Sequence, residues 1–465
     1  MGFFAIISLF FCNELRASKA IKFSRETFLA LLKTTRLAKK IRVQATAIVS
    51  AYNIKLLTLS GNTIINKKST QLCVMRKFIF LATLLAFGLM AIISCSTDSA
   101  SHSGTAPQSS GEATSSTPDD AEDNDDSLPH LRYNPDSVYL IVGVGDVMMG
   151  TNYPDTAMRL TADDAATLFA HAKPYISAAD VAVCNLEGVL LDSAGTPKEV
   201  KNAEALHLFR MPERYAGRLS DAGFDFISIA NNHARDFGYE GLQSTMRALE
   251  GEGLSCAGVL GLCESAVVER RGVKFGFVAI APNALMVPLK SLSYTLKLVK
   301  RLDEECDVVI VSAHAGAEGN DCRHVTRDTE TYFGENRGNI YNAAHALIDA
   351  GADVIFAHGP HVSRAIELYH NRFIAYSLGN FCTPYGVNIL GSGGHAPLAE
   401  VKVTNKGEFI DGRIVAFMQY DRTGPKKARS NAVIDDIIAL SHDDFPESPL
   451  VIASDGKIQK KLNAR

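Results

Sequence analysis

Hydrophobic and polar positions alternate along the chain from residue 137 in a way that is typical of strands followed by helices. Short, largely apolar runs predict strands at 137–146, 179–188, 224–233, 273–283, 306–316 and 352–361. Amphipathic stretches, some of them closed by glycine, predict helices at 163–178, 212–223, 238–253, 291–304 and 340–351. Because strands and helices alternate, the pattern predicts parallel β-α units in a layered α/β domain.

The later part of the chain is richer in strand pattern. Residues 363–381 and 398–420 each predict a pair of strands, with short turns at His370-Asn371 and Asn405-Lys406-Gly407. The pattern is lost from about Asp443. We therefore predict a single domain over 137–442, with an antiparallel portion near its end, and a C-terminal tail over 443–465.

A signal-like segment stands well inside the chain, at residues 75–95. Met75 precedes two basic residues and an apolar run over 78–93, and the segment ends at Cys95. It resembles a bacterial lipoprotein signal peptide, in which the cysteine marks cleavage and lipid attachment. A transmembrane helix is the alternative, although 78–93 is shorter than the roughly 20 residues of a membrane span. The expected product is a lipid-anchored membrane protein of the cell envelope, on its periplasmic or surface side.

The segments on either side of this signal lack the pattern of a folded domain. Residues 1–74 are strongly basic, and we interpret them as an upstream extension that is not part of the mature protein. Residues 96–136 are rich in Ser and Thr and then acidic. Such a composition cannot bury enough apolar surface to fold, so we predict a disordered tether.

Net charge and cysteine spacing exclude some classes of function. Residues 1–74 hold twelve Lys/Arg and two Asp/Glu, a net charge of +10, while the whole chain is −4, which leaves −14 for the rest. An acidic body argues against nucleic acid as a partner. None of the nine cysteines forms a CxxC pair, so neither a zinc knuckle nor a thioredoxin-like motif is indicated.

Polar side chains follow five of the predicted strands at the point where each strand ends. They are Asp146; Asn185 and Glu187; Asn231, Asn232, His233 and Asp236; His314 and Glu318; and His358 and His361. The carboxyl ends of parallel strands open onto one crevice, where ligands bind. Taken singly, such a histidine is more often a satisfied loop residue, and such an aspartate is often a helix cap. Five ends of this kind favour a shared site.

The residue types at these ends are imidazole, carboxylate and amide, which are ligands of divalent metal ions. They suit Mn²⁺, Fe, Zn²⁺ or Mg²⁺, and the imidazoles favour a transition metal. Two such ions about 3.5–4 Å apart activate a water molecule and polarise a phosphoryl oxygen. Cysteine is absent from all five ends, which disfavours a structural zinc site.

Six motifs, in order along the chain, resemble the CapA family of poly-γ-glutamate capsule biosynthesis proteins. They are GDVMMG (145–150), NLEG (185–188), ANNHARDFGYEGL (230–242), SAHAGAE (312–318), GADVIFAHGPHVSRAIE (351–367) and YSLGNF (376–381). That family is related to the calcineurin-like metallophosphoesterases. The resemblance implies their fold, a four-layer α-β-β-α sandwich, and a site with two divalent metal ions.

The resemblance also implies a role for each matching residue. It assigns Asp146, Glu187, Asn232, His314, His358 and His361 to the metals, with Asn185 as the second choice beside Glu187. His233 corresponds to the histidine that contacts the substrate as an acid. Asp236 would hydrogen bond that imidazole, and the alternative is that it caps the helix near Gly238.

This sequence departs from the phosphoesterase pattern at two positions. Met148 stands where phosphoesterases have a histidine, so one metal would be bound less tightly. Glu187 is one methylene longer than the usual aspartate, so the metal spacing would differ. Three further residues are open between a role at the site and an ordinary surface or turn position: Arg235, Glu318 and Asn380.

Three functions are consistent with these residues. The first is a metal-dependent hydrolase or transferase that acts on an anionic envelope polymer or a small phosphate or γ-glutamyl substrate, with His233 as general acid. The second is a non-catalytic polymer- or partner-binding component of a capsule synthesis complex. The third is a nucleotidase-like phosphoesterase, for which a separate specificity domain would be needed and no obvious room is left.

Overall fold

The computed structural model describes residues 137–154, 159–199 and 207–461. The predicted extension (1–74), the lipoprotein signal (75–95) and the tether (96–136) lie outside these residues.

The described residues contain twenty strands and six α-helices. The strands are β1 (Val138–Val147), β2 (Val181–Leu186), β3 (Val189–Leu190), β4 (Arg210–Met211), β5 (Phe226–Ser228), β6 (Ser255–Ala257), β7 (Ser265–Arg270), β8 (Val273–Ile280), β9 (Val308–His314), β10 (Glu330–Tyr332), β11 (Glu335–Gly338), β12 (Val354–His358), β13 (Ile366–Tyr369), β14 (Arg372–Ala375), β15 (Asn380–Cys382), β16 (His395–Thr404), β17 (Phe409–Met418), β18 (Lys426–Lys427), β19 (Leu450–Ile452) and β20 (Lys457–Lys460). The helices are α1 (Lys173–Ile176), α2 (Ala216–Ala222), α3 (Gly238–Gly251), α4 (Leu292–Glu305), α5 (Ile340–Asp349) and α6 (Ala432–Asp444).

Two mixed sheets form the centre of the domain. The larger sheet has ten strands in the order β19-β20-β17-β16-β1-β2-β5-β6, with β15 beside β1 and β18 beside β17. The smaller sheet has six strands in the order β13-β14-β12-β9-β8-β7. The predicted parallel units are present in both, since β1, β2, β5 and β6 run parallel, as do β8, β9, β12 and β14.

The smaller sheet buries both of its faces, in two different cores. On β8, Phe275 and Phe277 belong to the core between the sheets, whereas Val278 and Ile280 belong to a second core shared with α4 and α5. Because successive strand residues point to opposite faces, this alternation places one sheet on one side and two helices on the other. The stack of Phe226 on Phe277, with ring centroids 4.8 Å apart, joins the two sheets directly.

Helices cover the outer faces. Helix α3 packs beside β3 and β6, whereas α6 contacts strands of both sheets, β13 of the smaller one and β16 and β17 of the larger one. With α3 beside the larger sheet and α4 and α5 on the smaller sheet, helices flank the two sheets on both sides. The predicted four-layer α-β-β-α sandwich is therefore confirmed.

Two glycines of β1 allow the close packing that positions the strand end. A Cβ at Gly143 would lie 2.5 Å from the ring of Phe356 on the opposite sheet. A Cβ at Gly145 would lie 2.0 Å from the backbone oxygen of Gly379. That same oxygen accepts a hydrogen bond from the backbone N–H of Asp146 at 2.8 Å. A side chain at either glycine would therefore push the sheets or the 378–379 backbone away from the strand end.

The prediction of a C-terminal tail over 443–465 is wrong for much of its length. Helix α6 continues to Asp444, and β19 and β20 add an antiparallel pair to the edge of the larger sheet. Backbone hydrogen bonds hold an edge strand, so it needs little apolar pattern. Only Ile458 in this pair is fully buried, opposite Gly412.

Two other predicted elements are shorter than expected. The helix predicted at 163–178 is a series of turns that ends in α1, because Asp164 and Ala165 have positive φ angles of 54° and 61°. The strand predicted at 224–233 ends at Ser228. The residues that follow leave the sheet and form the turn that carries Asn231 to His233.

Within the described part of the chain, no helix combines the length and the apolar character that crossing a membrane requires.

Candidate metal centre

The polar strand ends lie side by side in both sheets. In the larger sheet Asp146 is in register with Asn185, which is in register with Ser228. In the smaller sheet His314 is in register with His358. Because these strands are parallel, their carboxyl ends share one edge, and the edges of the two sheets meet there.

Three side chains form the closest group of potential metal ligands. One ligand atom from each of Asp146, Glu187 and His361 lies within 4.8 Å of the others. Nδ1 of His361 is 3.2 Å from Oδ2 of Asp146, and its Nε2 is 3.6 Å from Oε1 of Glu187. Asp146 and Glu187 are completely buried, so the two carboxylates face each other across one imidazole without access to solvent.

The other two predicted histidine ligands border the same carboxylate. Nδ1 of His358 is 3.6 Å from Oδ1 of Asp146. His314 lies beside Asn185, with its Nδ1 3.5 Å from the Asn185 amide nitrogen. Both imidazoles are buried. The structure therefore brings together residues that are separated by more than two hundred positions in the sequence.

Many buried donor and acceptor atoms of this group have no hydrogen-bond partner. They are both carboxylate oxygens of Glu187, Asn232 Oδ1, His314 Nε2 and both ring nitrogens of His358. Each unsatisfied buried polar atom costs about 1–3 kcal/mol. Their concentration in one place indicates a site completed by something outside the chain, and carboxylate, amide oxygen and imidazole are the donor set of divalent metal ions. We call Asp146, Glu187, Asn232, His314, His358 and His361 the metal-centre cluster.

Burial keeps two of the imidazoles in the form that binds metal. It lowers the pKa of His358 to about 4, against the opposing charge of Asp146. It also lowers the pKa of His314 well below its usual value, although the same carboxylate again opposes the effect. Both rings are therefore neutral at pH 7, and a neutral imidazole offers a nitrogen lone pair to a cation.

The remaining ionisable members hold a strong local charge. Burial raises the pKa of Glu187 to about 7, against the opposing charge of His361. Burial alone would raise the pKa of Asp146 as well, but the hydrogen bond and charge of His361 bring it to about 2. Burial lowers the pKa of His361, but the charge of Glu187 and the hydrogen bond to Asp146 raise it to about 10. In the absence of a cation, the proton on His361 is the positive charge that these carboxylates share.

The residue His233 presents one ring nitrogen to this cluster and the other to an aspartate. Its Nδ1 donates to Oδ2 of Asp236 at 2.7 Å, and its Nε2 faces Oε1 of Glu187 at 4.0 Å. The Phe209 ring lies against the imidazole at a centroid distance of 4.4 Å. Burial lowers the pKa of His233, but the charge and hydrogen bond of Asp236 raise it above its usual value. The arrangement fixes the tautomer and points Nε2 into the site.

Asp236 is held by the backbone as well as by His233. Its Oδ2 also accepts a hydrogen bond from the Phe209 N–H at 2.9 Å, and the residue is fully buried. Of the two interpretations that the sequence left open, the geometry favours the one in which Asp236 orients the imidazole. A surface carboxylate that caps a helix would be exposed.

Two asparagines form a relay that the sequence did not predict. The Asn185 amide donates to Oδ1 of Asp146 at 2.8 Å, and the Asn231 amide donates to Oδ1 of Asn185 at 3.1 Å. Oδ1 of Asn231 accepts the His233 backbone N–H at 3.0 Å. Since its oxygen is already used, Asn185 positions Asp146, and Glu187 is the better candidate ligand of the pair. Asn232, the neighbour of Asn231, is left with a buried and unpaired Oδ1.

Asn380 supports the last histidine. Its Oδ1 accepts from Nδ1 of His361 at 3.0 Å, and its amide donates to the His361 and Gly393 backbone oxygens, both at 3.0 Å. His361 has a positive φ of 59°, which is uncommon for a residue with a side chain. Asn380 therefore holds both the ring and the strained backbone of His361 in place.

Of the other residues considered from the sequence, some lie at the site and some do not. Glu318 lies at the site, with its Oε2 3.8 Å from Nε2 of His361. Arg235 is exposed to solvent. Met148 is completely buried and provides a thioether where the phosphoesterase pattern has an imidazole. Sequence reasoning missed Arg337, a buried arginine that pairs with Glu318 at 2.9 Å, because it follows no predicted strand.

Comparisons with known proteins agree with this arrangement of motifs. Residues 140–385 match the family described as "Bacterial capsule synthesis protein PGA_cap". The chain is 28% identical over 263 residues to the "Capsule biosynthesis protein CapA" of Bacillus anthracis, covering 52% of this chain and 59% of that protein. It is 26% identical over 274 residues to the "PGA biosynthesis protein CapA" of Bacillus subtilis (strain 168), covering 56% and 67%.

A solved structure is also similar, at low score. It is a "5'-nucleotidase precursor" from Thermus thermophilus, with a TM-score of 0.35 and 12% identity over 66% of this chain and 59% of that one. At this score the similarity carries no conclusion about this chain. The chain spans about three-fifths of the length of the B. anthracis relative. Since the family match covers more than half of the chain, at residues 140–385 of 465, the chain belongs to the bacterial capsule synthesis protein family, PGA_cap.

Proposed function

We propose that this chain is a metal-dependent hydrolase or transferase that acts on an anionic substrate in capsule or poly-γ-glutamate-type polymer biosynthesis. One observation carries the proposal. Buried carboxylate, amide and imidazole atoms without partners are concentrated beside a histidine that an aspartate orients. A structural role alone would have left fewer of these atoms unpaired, because each one lowers stability.

The metal-centre cluster would hold two divalent cations, Mn, Fe, Zn or Mg. Six candidate ligands are enough for two ions that keep open positions for water and substrate. Bound there, the cations would lower the pKa of a water molecule and polarise the bond that is attacked. Imidazole ligands favour a transition metal over Mg²⁺.

The side chains of the protein would supply orientation and proton transfer. His233 would donate a proton from Nε2 to the leaving group, since its Nδ1 is bound to Asp236 and its Nε2 faces the cluster. The relay through Asn231 and Asn185 would keep His233 and Asp146 in fixed relation. Burial of the cluster would keep bulk water away from the reacting group.

A lipid on Cys95 would place the domain at a membrane of the cell envelope. The sequence motivates this part of the proposal through the apolar run at 78–93 and the cysteine that follows it. The test is to compare the membrane fraction of cells that make the wild-type protein or Cys95→Ala. Release of the variant into the soluble fraction is expected, and equal membrane retention would contradict lipid attachment at Cys95.

The catalytic part is tested with the full chain purified in detergent. Metal content is measured by mass spectrometry, and hydrolysis is assayed on aryl phosphates and on γ-glutamyl oligomers. We expect close to two metal ions per chain and turnover of one substrate class. His233→Asn should retain the metal and reduce kcat about 10²–10⁴-fold, the usual contribution of a positioned general acid.

A matched control is available on the surface. His324 pairs with Asp444 at 2.7 Å, the same distance as in the His233–Asp236 pair, but its side chain is 61% exposed. His324→Asn should leave both metal content and turnover unchanged. If the wild-type protein binds no metal, or if His233→Asn retains full turnover, the enzymatic proposal fails. Rescue of capsule formation by His233→Asn would then support a polymer- or partner-binding component.

A further inference from the structure

Arg337 is a buried arginine at the edge of the metal-centre cluster. It lies on β11, in the β10–β11 hairpin between β9 and α5, and its side chain is only 7% exposed. Its backbone oxygen accepts the N–H of Gly316 at 3.1 Å. This bond ties the hairpin to the loop that follows His314, so Arg337 is fixed relative to the cluster.

The contacts of its guanidinium are incomplete. Nη2 lies 2.9 Å from Oε1 of Glu318, and the group stands over the Tyr332 ring at 5.5 Å. Nε is 3.6 Å from a carboxylate oxygen of Glu335, which is too far for a hydrogen bond. Both Nε and Nη1 are buried and have no hydrogen-bond partner. Two buried nitrogens of a cation, with three N–H groups between them, are therefore left without an acceptor.

Glu318 connects this guanidinium to the cluster. Its second oxygen, Oε2, is 3.8 Å from Nε2 of His361, which is itself 3.6 Å from Glu187. A single carboxylate therefore separates Arg337 from a candidate metal ligand. The guanidinium therefore lies close to the cluster, with Glu318 between them.

We propose that Arg337 binds an oxyanion of the substrate, a phosphate or carboxylate group, beside the metal-centre cluster. This inference rests on the proposed function, because it names the charged group that the same site recognises. Arginine suits this role because its charge persists at all physiological pH values and its planar N–H groups match oxyanion acceptors.

Charge balance alone does not account for this arginine. Arg364 is also buried against a glutamate, Glu330, and its guanidinium donates to both carboxylate oxygens and to two backbone oxygens. An arginine that only neutralises acidic neighbours is satisfied in that way. Arg337 pairs with Glu318 and has Glu335 only 3.6 Å from Nε, yet neither Nε nor Nη1 has a hydrogen-bond partner.

The test measures oxyanion binding directly, without turnover. The full chain, both metal-free and loaded with Mn²⁺, is titrated with inorganic phosphate and, separately, with glutarate by isothermal calorimetry. The variants are Arg337→Met, Arg337→Lys and the control Arg235→Met, which removes an exposed arginine beside His233 in the sequence. Metal content is recorded for each preparation.

We expect Arg337→Met to bind at least one of the two probes about 10- to 100-fold more weakly, the usual effect of losing a hydrogen bond to a charged group. Arg337→Lys should recover part of the affinity, and Arg235→Met should bind as the wild type does. Weaker binding of phosphate alone would assign a phosphoryl substrate, and weaker binding of glutarate alone a carboxylate substrate.

Two results would overturn the inference. One is wild-type affinity of Arg337→Met for both probes, and the other is a wild-type protein that binds neither. If Arg337→Met loses metal or unfolds, the affinity of Arg337→Lys for the two probes is compared with that of the wild type. Lysine keeps the positive charge but lacks the planar N–H groups, so weaker binding supports the inference and wild-type binding contradicts it. Arg337-dependent binding in a protein without turnover would leave this inference standing while the proposed hydrolase or transferase activity failed.

Discussion

Two buried polar groups of the domain differ in how completely the chain satisfies them. The first is the Arg364–Glu330 pair, in which both carboxylate oxygens accept from the guanidinium at 2.7 Å and one also accepts the Ala317 N–H at 2.9 Å. The second is the metal-centre cluster, most of whose members have at least one buried polar atom without a partner. Arg364 and Glu330 are buried, as are Asp146, Glu187, His314 and His358 of the cluster, while Asn232 and His361 are partly exposed.

The difference distinguishes a structural group from a binding group. A buried charge persists only when other groups compensate it, whether they come from the protein or from a ligand. In the Arg364–Glu330 pair the chain provides all the partners, so the pair is complete in the isolated protein. In the metal-centre cluster the chain leaves several atoms without partners, which is why we propose that it binds cations.

The two groups also share their supporting loops. The loop after His314 carries Ala317, which contacts both Arg364 and Glu330. The loop after His358 carries His361 and, three positions later, Arg364 itself. The Arg364–Glu330 pair therefore stabilises the two loops that carry His314 and His361 of the metal-centre cluster. A change in one group should affect the other.

The largest effect on stability is expected from breaking the Arg364–Glu330 pair. Arg364→Met leaves the Glu330 carboxylate buried with one backbone donor, and we expect a loss of about 3–5 kcal/mol in the free energy of unfolding. The measurement is urea denaturation of the wild type and the variant. The double variant with Glu330→Gln should recover part of the loss. Arg413→Met, which removes an exposed cross-strand pair with Glu400, should cost no more than about 1 kcal/mol. A loss below that value for Arg364→Met would contradict a structural role of the pair.

Metal removal should have the next largest effect on stability, because it leaves the buried atoms of the metal-centre cluster without partners again. With free Mn²⁺ at 100 to 1,000 times its Kd, binding stabilises the folded chain by about 3–4 kcal/mol, and a chelator removes that amount. Urea denaturation with Mn²⁺ and with chelator measures the difference. The difference between the two conditions should be much smaller for His358→Ala, which lacks one candidate ligand. Identical curves for the wild-type protein in both conditions would argue against a metal site.

The amide relay should have a smaller effect, on affinity for metal. Asn185→Ala removes the donor that holds Oδ1 of Asp146, and loss of such a supporting contact lowers metal affinity about 10- to 100-fold. Competition with a chromogenic chelator measures the change in Kd. Asn342→Ala, on the exposed side of α5, should bind metal as the wild type does. Unchanged affinity in Asn185→Ala would show that the relay does not position Asp146.

The smallest expected effect is a change in stability that has opposite signs for Glu187 and Glu330. Both oxygens of Glu187 are buried without partners, so in the metal-free protein Glu187→Gln should not lower the free energy of unfolding and should raise it by up to about 1–2 kcal/mol. Glu330→Gln should lower it, because that carboxylate is fully paired. Denaturation of both variants in the presence of chelator gives the two signs. A clear loss in Glu187→Gln would mean that its neighbours already satisfy this carboxylate.

Much of the site was predictable because its residues follow the strands directly. Asp146, Glu187, His314 and His358 stand at the ends of apolar runs, and parallel strands bring such ends to one edge. The six motifs resembling the CapA family extended that inference to Asn232, His233 and His361. Arg337 was not predictable in this way, since a short hairpin of low apolar content carries it and its importance depends on which atoms remain unpaired.

The sequence by itself determined the layered α/β architecture, the membership in a capsule synthesis family and the kinds of ligand atoms available. These properties follow from local periodicity and from residue types at strand ends, which are readable one segment at a time. The tertiary structure alone decided which asparagine supports and which is free, that Arg337 stands beside the cluster, and that 450–460 add two strands to the larger sheet. Those outcomes depend on contacts between distant segments and on the hydrogen-bond partner of each buried atom. The order of residues within one segment specifies neither of them.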